Sequence, residues 1–440
     1  MNPAEVVVIG GGFGGLEAAR TLGGADVRVT LLDRHNYHLF QPLLYQVATA
    51  SLSPGDVASP IRWILRRQKN VRVLLADARA IDTKHRRVVL ADGGNGARPA
   101  PSVPYDYLVV AAGAAHAYFG HPEWADRAPG LKTLDDALEM RRRVLLAFEA
   151  AERELDPARQ RRFLTFVIVG GGPTGVELAG ALAEIARQSL RQDFRSIRPE
   201  SARILVLEGG PSLLSHFPAR LQQAARRSLE RLGVEILTGS VVTGIDADGV
   251  TWRAAGARAG PDGPDEGHRI EAHTVLWAAG VAASPLAASL GAPLDRVGRV
   301  YAEPTLQVPG HPEVFVAGDI CALSQDGAPL PGVAQVALQQ GAHAARNILR
   351  AVAGEALTPF RYRDYGSMAV IGRGSAIAHV GPVETSGLLA WLFWLFLHIF
   401  WLIGFRNRIA VLSEWAWSYL TLQRRVRLIT GGRLPPEQVD

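Results

Sequence analysis

The chain has 440 residues, 48% of them hydrophobic and 20% charged, so it exceeds one ordinary core and is expected to fold as two or three domains. A single cysteine, Cys321, excludes an intramolecular disulfide and every CxxC-type metal site, and no metal centre is expected. The net charge of +5 could suit nucleic acid, but no helix-turn-helix, zinc module or aromatic-basic RNA motif accompanies it, and no nucleic-acid partner is expected.

The first strand begins at residue 5 or 6, which leaves no room for a signal peptide and predicts a cytoplasmic body. Val6–Ile9 runs into Gly10-Gly11-Gly12-Phe13-Gly14-Gly15, a G-x-G-x-x-G turn between strand and helix. Gly10 lets the chain turn out of the strand, Gly12 lets backbone N–H groups approach a pyrophosphate, and Gly15 lets the helix lie close to the sheet. A second strand, Val27–Leu32, ends in Asp33, placed to accept hydrogen bonds from ribose hydroxyls. The closing strand Tyr107–Ala111 runs into Ala112 and Gly113. A helix is expected from Thr133 to about Glu154, followed by the basic run Arg159–Arg162.

The whole pattern then repeats. Phe166–Val169 enters Gly170-Gly171-Gly172-Pro173-Thr174-Gly175, a second strand ends in Glu208, and Val275–Ala279 closes on Gly280. Gly170, Gly172 and Gly175 take the three glycine roles, and the longer spacing to Glu208 fits a long helix through Leu182, Ile185 and Leu190. No arginine follows Glu208 to meet a 2′-phosphate, so NADH is favoured over NADPH. Two dinucleotides on one chain imply that electrons pass between them. Asp92–Pro104 and Ala254–Gly267 read as surface loops. After the second unit, Val314–Ala317 delivers Gly318 and Asp319 to a helix N-terminus, where the carboxylate can contact a flavin's ribityl hydroxyl; in isolation it would read as an N-cap.

From Gly387 to Phe405, nineteen residues carry one ionisable group and would reach about 28 Å as a helix, near a bilayer's thickness. Against a span, Trp391, Trp394, His398 and Trp401 form one stripe through the middle, whereas tryptophan in spanning helices gathers at the ends. Phe405–Asp440 carries six arginines and three acids. Trp-rich apolar faces with basic flanks fit helices lying in an interface against anionic lipid. A span and a buried dimer helix are the alternatives.

With these residues assembled, the chain resembles the two-dinucleotide flavoprotein disulfide reductase superfamily. The resemblance implies FAD at the first fingerprint and Asp319, and NADH at the second. Most disulfide-reducing members need a redox cysteine pair in the region of His38–Ala48, where this chain has no cysteine, and sulfide:quinone oxidoreductase also works through cysteines, which the lone Cys321 cannot supply; both chemistries are excluded. Asp33–Gln46, Ala334-Gln335-Val336-Ala337-Leu338-Gln339-Gln340-Gly341, Asp364–Gly372 and the Trp391–Arg408 tail look like type II NADH:quinone oxidoreductase. That family implies hydride transfer from NADH to FAD, then two-electron reduction of a membrane quinone (ubiquinone or menaquinone) without proton pumping. By the same resemblance, Gln335 and Gln339 sit at the quinone end of the flavin. Their spacing puts both amides on one helical face, to meet a quinone carbonyl or the flavin edge, or to pack between domains. Glu177 would lie near the isoalloxazine as a proton relay or nicotinamide contact; read alone, it is a first-turn helix acid.

The expected fold is α/β, with two Rossmann-like domains and C-terminal amphipathic helices that attach to the membrane. An FAD-binding domain is expected over 1–115 and 295–365, an NADH-binding domain over 160–290, and a membrane-anchoring region over 366–440. The family implies monotopic attachment at the cytoplasmic face, and a homodimer packed through the tail stays open. The competing readings are a soluble ferredoxin or rubredoxin reductase of the same superfamily and a flavin redox sensor without turnover.

Overall fold

The apolar, β-branched run Val6-Val7-Val8 is almost wholly shielded from solvent, as a strand flanked on both edges and covered on both faces must be. It forms the centre of a six-stranded sheet in a computed structural model that describes residues 2–91, 101–256, 267–421, 423–424 and 426–430. The two predicted loops, Asp92–Pro104 and Ala254–Gly267, lie largely outside those residues, as does part of the basic C-terminal stretch.

The chain forms two compact units. The first comprises Met1–Leu39, Ala58–Ala115 and Val281–Tyr365. Its main sheet runs in the order Gln307–Val308, His311–Val316, Tyr107–Val110, Ala4–Ile9, Val27–Asp33, Val71–Leu75, parallel except at the first pair. The strand order therefore reverses at Ala4–Ile9, and the crevice beyond the carboxyl ends at such a switch point is where open α/β sheets bind ligands. Helix Phe13–Leu22 leaves from that point and crosses helix Ala334–Val352 at close range. A Cβ on Gly341 would stand 2.0 Å from the Gly14 carbonyl oxygen, so this crossing requires glycine.

The second unit comprises Phe40–Val57, His116–Gly280 and Gly366–Asp440. Its parallel sheet, Val234–Thr238, Arg203–Glu208, Thr165–Val169, Thr274–Trp277, repeats the same local order around a central strand. The expected helix is present as Leu134–Arg153, opened by a capping box between Thr133 and Asp136. Between the second fingerprint and its acid, helix Pro173–Glu184 widens into a π turn at Ile185–Ser189 instead of running unbroken through Leu190. The antiparallel meander Ser367–Gly372, Ser375–Val380, Val383–Gly387 packs on that helix so closely that a Gly180 Cβ would stand 1.6 Å from the Ile371 carbonyl oxygen.

The apolar tail bears on one alternative and corrects one expectation. Helix Leu388–Trp401 has 14 residues, a left-handed Gly404 breaks the path, and a second helix occupies Phe405–Thr421. Among the described residues no helix is long and apolar enough to cross a membrane. The tryptophan stripe also turns inward. Trp391 and Trp394 are buried: Trp394 stacks on His398 with centroids 4.3 Å apart and tilts against Trp415 at 5.4 Å, and Trp391 meets Tyr419 edge-on. These wide rings fill the seam beneath the helix, and only Trp401 of the stripe is exposed. The outward face belongs to Leu388, Leu389, Leu392, Phe393, Phe396 and Phe400.

Candidate functional site

Each unit builds a cradle from the same parts. Gly10 has φ +100° and its Cβ would lie 2.2 Å from the Ala111 carbonyl oxygen; Gly15's would lie 1.9 Å from the oxygen of Gly10. Around Gly12, by contrast, a Cβ meets nothing within 4 Å. In the second unit Gly170 has φ +110° and crowds Ala278, Gly175 crowds Gly170 at 1.8 Å, and Gly172 again faces open space. Helices Phe13–Leu22 and Pro173–Glu184 both start at these middle glycines without a side-chain cap. Unspent helix N–H groups over an open cradle fit a pyrophosphate.

Both acids are fixed before any ligand arrives. The Asp33 carboxylate accepts from the backbone N–H groups of Gly11 and His35, and that of Glu208 accepts from those of Gly171 and Gly210. An acceptor held by two amides loses little freedom when a ribose hydroxyl joins it.

In the first unit Gly113 (φ +67°) follows Ala112 at the end of the closing strand. Gly318 and Asp319 do not open an α-helix as expected; they lie in a three-residue 3₁₀ turn, Gly318–Ile320. The nearby α-helix of the unit starts at Ala334, behind Val333 and without a side-chain cap. Gln335 and Gln339 share a face, as their spacing requires, and both hold the segment 362–365. The Gln335 Oε1 accepts from the Tyr365 N–H and the Tyr362 hydroxyl, while Gln339 exchanges hydrogen bonds with the Arg363 backbone in both directions.

Two residues of this unit were missed. Gln340, next to the predicted pair and fully buried, accepts from the Gly318 N–H at 2.7 Å and donates toward the Cys321 sulfur at 3.6 Å. It therefore fixes the Gly318–Ile320 turn. The signal available was its position on the opposite helix face from Gln335. Burial pushes the Cys321 thiol up to about 12, as suits a core residue and not a nucleophile. His38 is also buried. Its Nδ1 bonds the Gly11 carbonyl at 2.9 Å, its ring meets Phe13 edge-on, and its Nε2 has no partner among the described residues. Burial lowers its pKa, so the ring is neutral and Nδ1–H is the donor. Nothing in the pattern around His38 marked it out beyond its place in the family-like run.

In the second unit Gly280 has φ +73° and lies under the ring of Phe119. Glu177 stands in the first turns of helix Pro173–Glu184. Burial pushes its carboxyl up to about 8, opposed by a hydrogen bond from the Val370 backbone, so it is protonated at neutral pH. The phenol of Tyr45 is pushed well above its ordinary value by burial and then by the field of Glu177. Gln46 donates to that phenol and accepts from the Trp415 Nε1, which ties the 40–57 segment to the C-terminal helices. Beyond them Arg424 donates to the Thr49 carbonyl and pairs with Glu184 at 2.9 Å, and Arg427 pairs with Asp193. Among the described residues no cluster of acids, histidines and cysteine could hold a metal ion.

Comparison with known proteins places these features in context. The sequence model described as pyridine nucleotide-disulphide oxidoreductase matches residues 4–341, and the NDH2 C-terminal domain matches 365–424. Two relatives from Mycobacterium tuberculosis, the type II NADH:quinone oxidoreductases Ndh and NdhA, are 46% and 48% identical to the chain. Each alignment covers 97% of this chain, and 90% and 89% of the respective relative. In fold, the chain is similar to NDH2 from Plasmodium falciparum in complex with NADH, with a TM-score of 0.86 at 19% identity over 97% of this chain and 100% of that one. It is also similar to the sulfide:quinone oxidoreductase of Aquifex aeolicus, with a TM-score of 0.71 at 18% identity over 94% and 95%.

Proposed function

We propose, from the premise that this chain belongs to the type II NADH:quinone oxidoreductase family, that its two cradles divide the reaction between them. The chain is an NADH:quinone oxidoreductase. When bound, FAD would supply the two-electron chemistry that links NADH to quinone. The residues present fit that cofactor: the open space at Gly12, the uncapped helix, and the unpartnered Nε2 of His38 lie in one unit. Gly10, Gly12, Gly15, Asp33, Ala112, Gly113, Gly318 and Asp319 would hold FAD. Gly170, Gly172, Gly175, Glu208 and Gly280 would hold NADH.

Within this reading Glu177 keeps a proton at its carboxyl at neutral pH, because burial raises it to about 8. It serves as a proton relay or a nicotinamide contact. Gln335 and Gln339 brace the segment 362–365 and keep their amides on the helix face assigned to the quinone end of the flavin. Cys321, the lone thiol, takes no part.

The outward Leu and Phe face of helix Leu388–Trp401 supports monotopic attachment. Six exposed apolar side chains in about three and a half helical turns are what an interfacial helix buries among acyl chains. Arg406, exposed beside that helix, suits an anionic surface, whereas Arg424 and Arg427 are taken up by Glu184 and Asp193. We assign attachment to the cytoplasmic face, where NADH is supplied.

The paired uncapped cradles carry this proposal. Its test is turnover by the purified full-length flavoprotein with NADH and a short-chain quinone, set beside ferredoxin, with wild type and the exposed-face variant Leu389→Ser/Phe396→Ser/Phe400→Ser. Quinone reduction by both, with vesicle binding weakened in the variant, is expected. Rapid ferredoxin reduction without quinone turnover, or inertness toward both, would overturn it.

A further inference from the structure

The first unit carries a charged surface that its cradle does not use. Between Asp56 and Asp77 the chain has five cations, Arg62, Arg66, Arg67, Lys69 and Arg72, and no acid. All five are exposed, and none forms an ion pair among the described residues. Other arginines of the same unit are paired, as Arg28 is with Glu5, Arg79 with Asp77 and Arg299 with Asp295. Charge of one sign without counter-charge raises a local potential and disfavours the fold slightly, which marks a surface with an external partner.

The surface is held rigid. Asn70, inside the run, donates to the carbonyls of Leu22, Ala25 and Val27 and accepts from the Gly24 N–H. Arg67 and Lys69 therefore project from a fixed turn and not from a loose tail. Trp63 adds an apolar element: it is 49% exposed, with the Arg66 guanidinium 4.2 Å above its ring. An exposed indole edged by cations has the chemistry of a bilayer's headgroup level. A single-stranded nucleic acid would need that ring face for stacking, and Arg66 already covers one side.

We propose that the Arg62–Arg72 surface docks on anionic phospholipid headgroups, giving the first unit its own electrostatic hold on the membrane. This rests on the membrane reading above for its setting, but it uses different residues from the apolar tail.

The test uses full-length, flavin-loaded protein and sedimentation with vesicles of phosphatidylcholine alone or with about one third phosphatidylglycerol. The Arg66→Gln/Arg67→Gln/Lys69→Gln variant is compared with wild type. Arg198→Gln/Arg220→Gln/Arg227→Gln, which removes equal charge from exposed sites of the second unit, is the control. Three cations near an anionic surface should be worth at least about tenfold in partitioning at low salt, and little at high salt. The cluster variant is expected to lose that gain on anionic vesicles. It should keep wild-type binding to phosphatidylcholine, flavin content and turnover with a water-soluble quinone. Unchanged partitioning of the cluster variant, or an equal loss in the control, overturns the proposal. So does tighter cluster-dependent binding to an oligonucleotide or an acidic protein than to the vesicles. Wild type that ignores every vesicle overturns the membrane reading itself; binding that is strong on phosphatidylcholine and indifferent to the cluster overturns only this proposal.

Discussion

Replacing Glu177 by Gln should change the pH dependence of stability by an amount that follows from its environment. Burial raises the carboxyl from 4.5 to about 8. The native chain therefore holds a proton that the unfolded chain releases, and this group's contribution is fully present below about 4.5 and lost as pH rises through about 8. Integrated from pH 6 to pH 9, the loss is about 2.5 kcal/mol. Glutamine keeps the shape and cannot ionise, so the stability gap between variant and wild type should widen in the variant's favour by that amount. Urea unfolding followed by tryptophan fluorescence reads the relevant unit, because eight of the nine tryptophans lie in it and only Trp63 lies outside. A gap that stays constant within about 0.5 kcal/mol between pH 6 and pH 9 would refute the buried, protonated carboxyl. Kinetics then separate the two roles. A relay predicts a fall in kcat and loss of an inflection near pH 8; a nicotinamide contact predicts a rise in KM for NADH at unchanged kcat.

Gly172→Ala should leave stability within about 0.5 kcal/mol, since the added Cβ meets nothing within 4 Å, yet raise KM for NADH about tenfold or more by filling the cradle. Thermal unfolding and steady-state kinetics check the two halves of that statement. Arg424→Met should destabilise the second unit by about 3 kcal/mol, because it strips the partner from the largely buried Glu184. Adding Glu184→Gln should recover part of the loss, and a double-mutant cycle in urea measures the coupling.

Periodicity and glycine chemistry made most of the fold legible. A buried apolar run ending in G-x-G-x-x-G has few conformational solutions, so the strands, the helices behind them and the two acids could be placed from local sequence. Gln335 and Gln339 were likewise tied to one helix face by spacing alone. What local sequence could not supply was direction across the fold. Trp391 and Trp394 are amphipathic enough for either a lipid interface or a core seam, and their inward turn depends on Trp415 and Tyr419, more than twenty residues away. The break at Gly404 shows the same limit: a hydropathy window averages over one left-handed glycine. Gln340 was passed over because its task, holding the Gly318 turn, depends on a partner twenty-two residues earlier.

The two cradles look alike in sequence but hold Gly11 and Gly171 differently, and the difference suits the tasks proposed for them. The Gly171 carbonyl accepts from the Leu214 backbone N–H at 2.8 Å, whereas that of Gly11 accepts from the His38 side chain. A backbone donor is fixed by the fold; a side-chain donor can be removed without moving the chain. His38→Leu would leave a buried carbonyl without its donor, a loss of about 1–3 kcal/mol, which is roughly a 5- to 150-fold weaker hold on a cofactor seated on that loop. Flavin release during dialysis should quicken accordingly, while KM for NADH, whose proposed cradle is in the other unit, should not move. In wild type the neutral ring adds a pH dependence of known sign. Burial lowers its pKa, so the fold holds the ring neutral above the ordinary imidazole range and loses stability as the pH drops below it, where the buried ring must charge although Nδ1–H still donates; flavin retention should fall there. Equal flavin retention by variant and wild type at neutral pH would show that the Gly11 carbonyl needs no donor, and the proposed division between a resident and an exchanging dinucleotide would lose its physical basis.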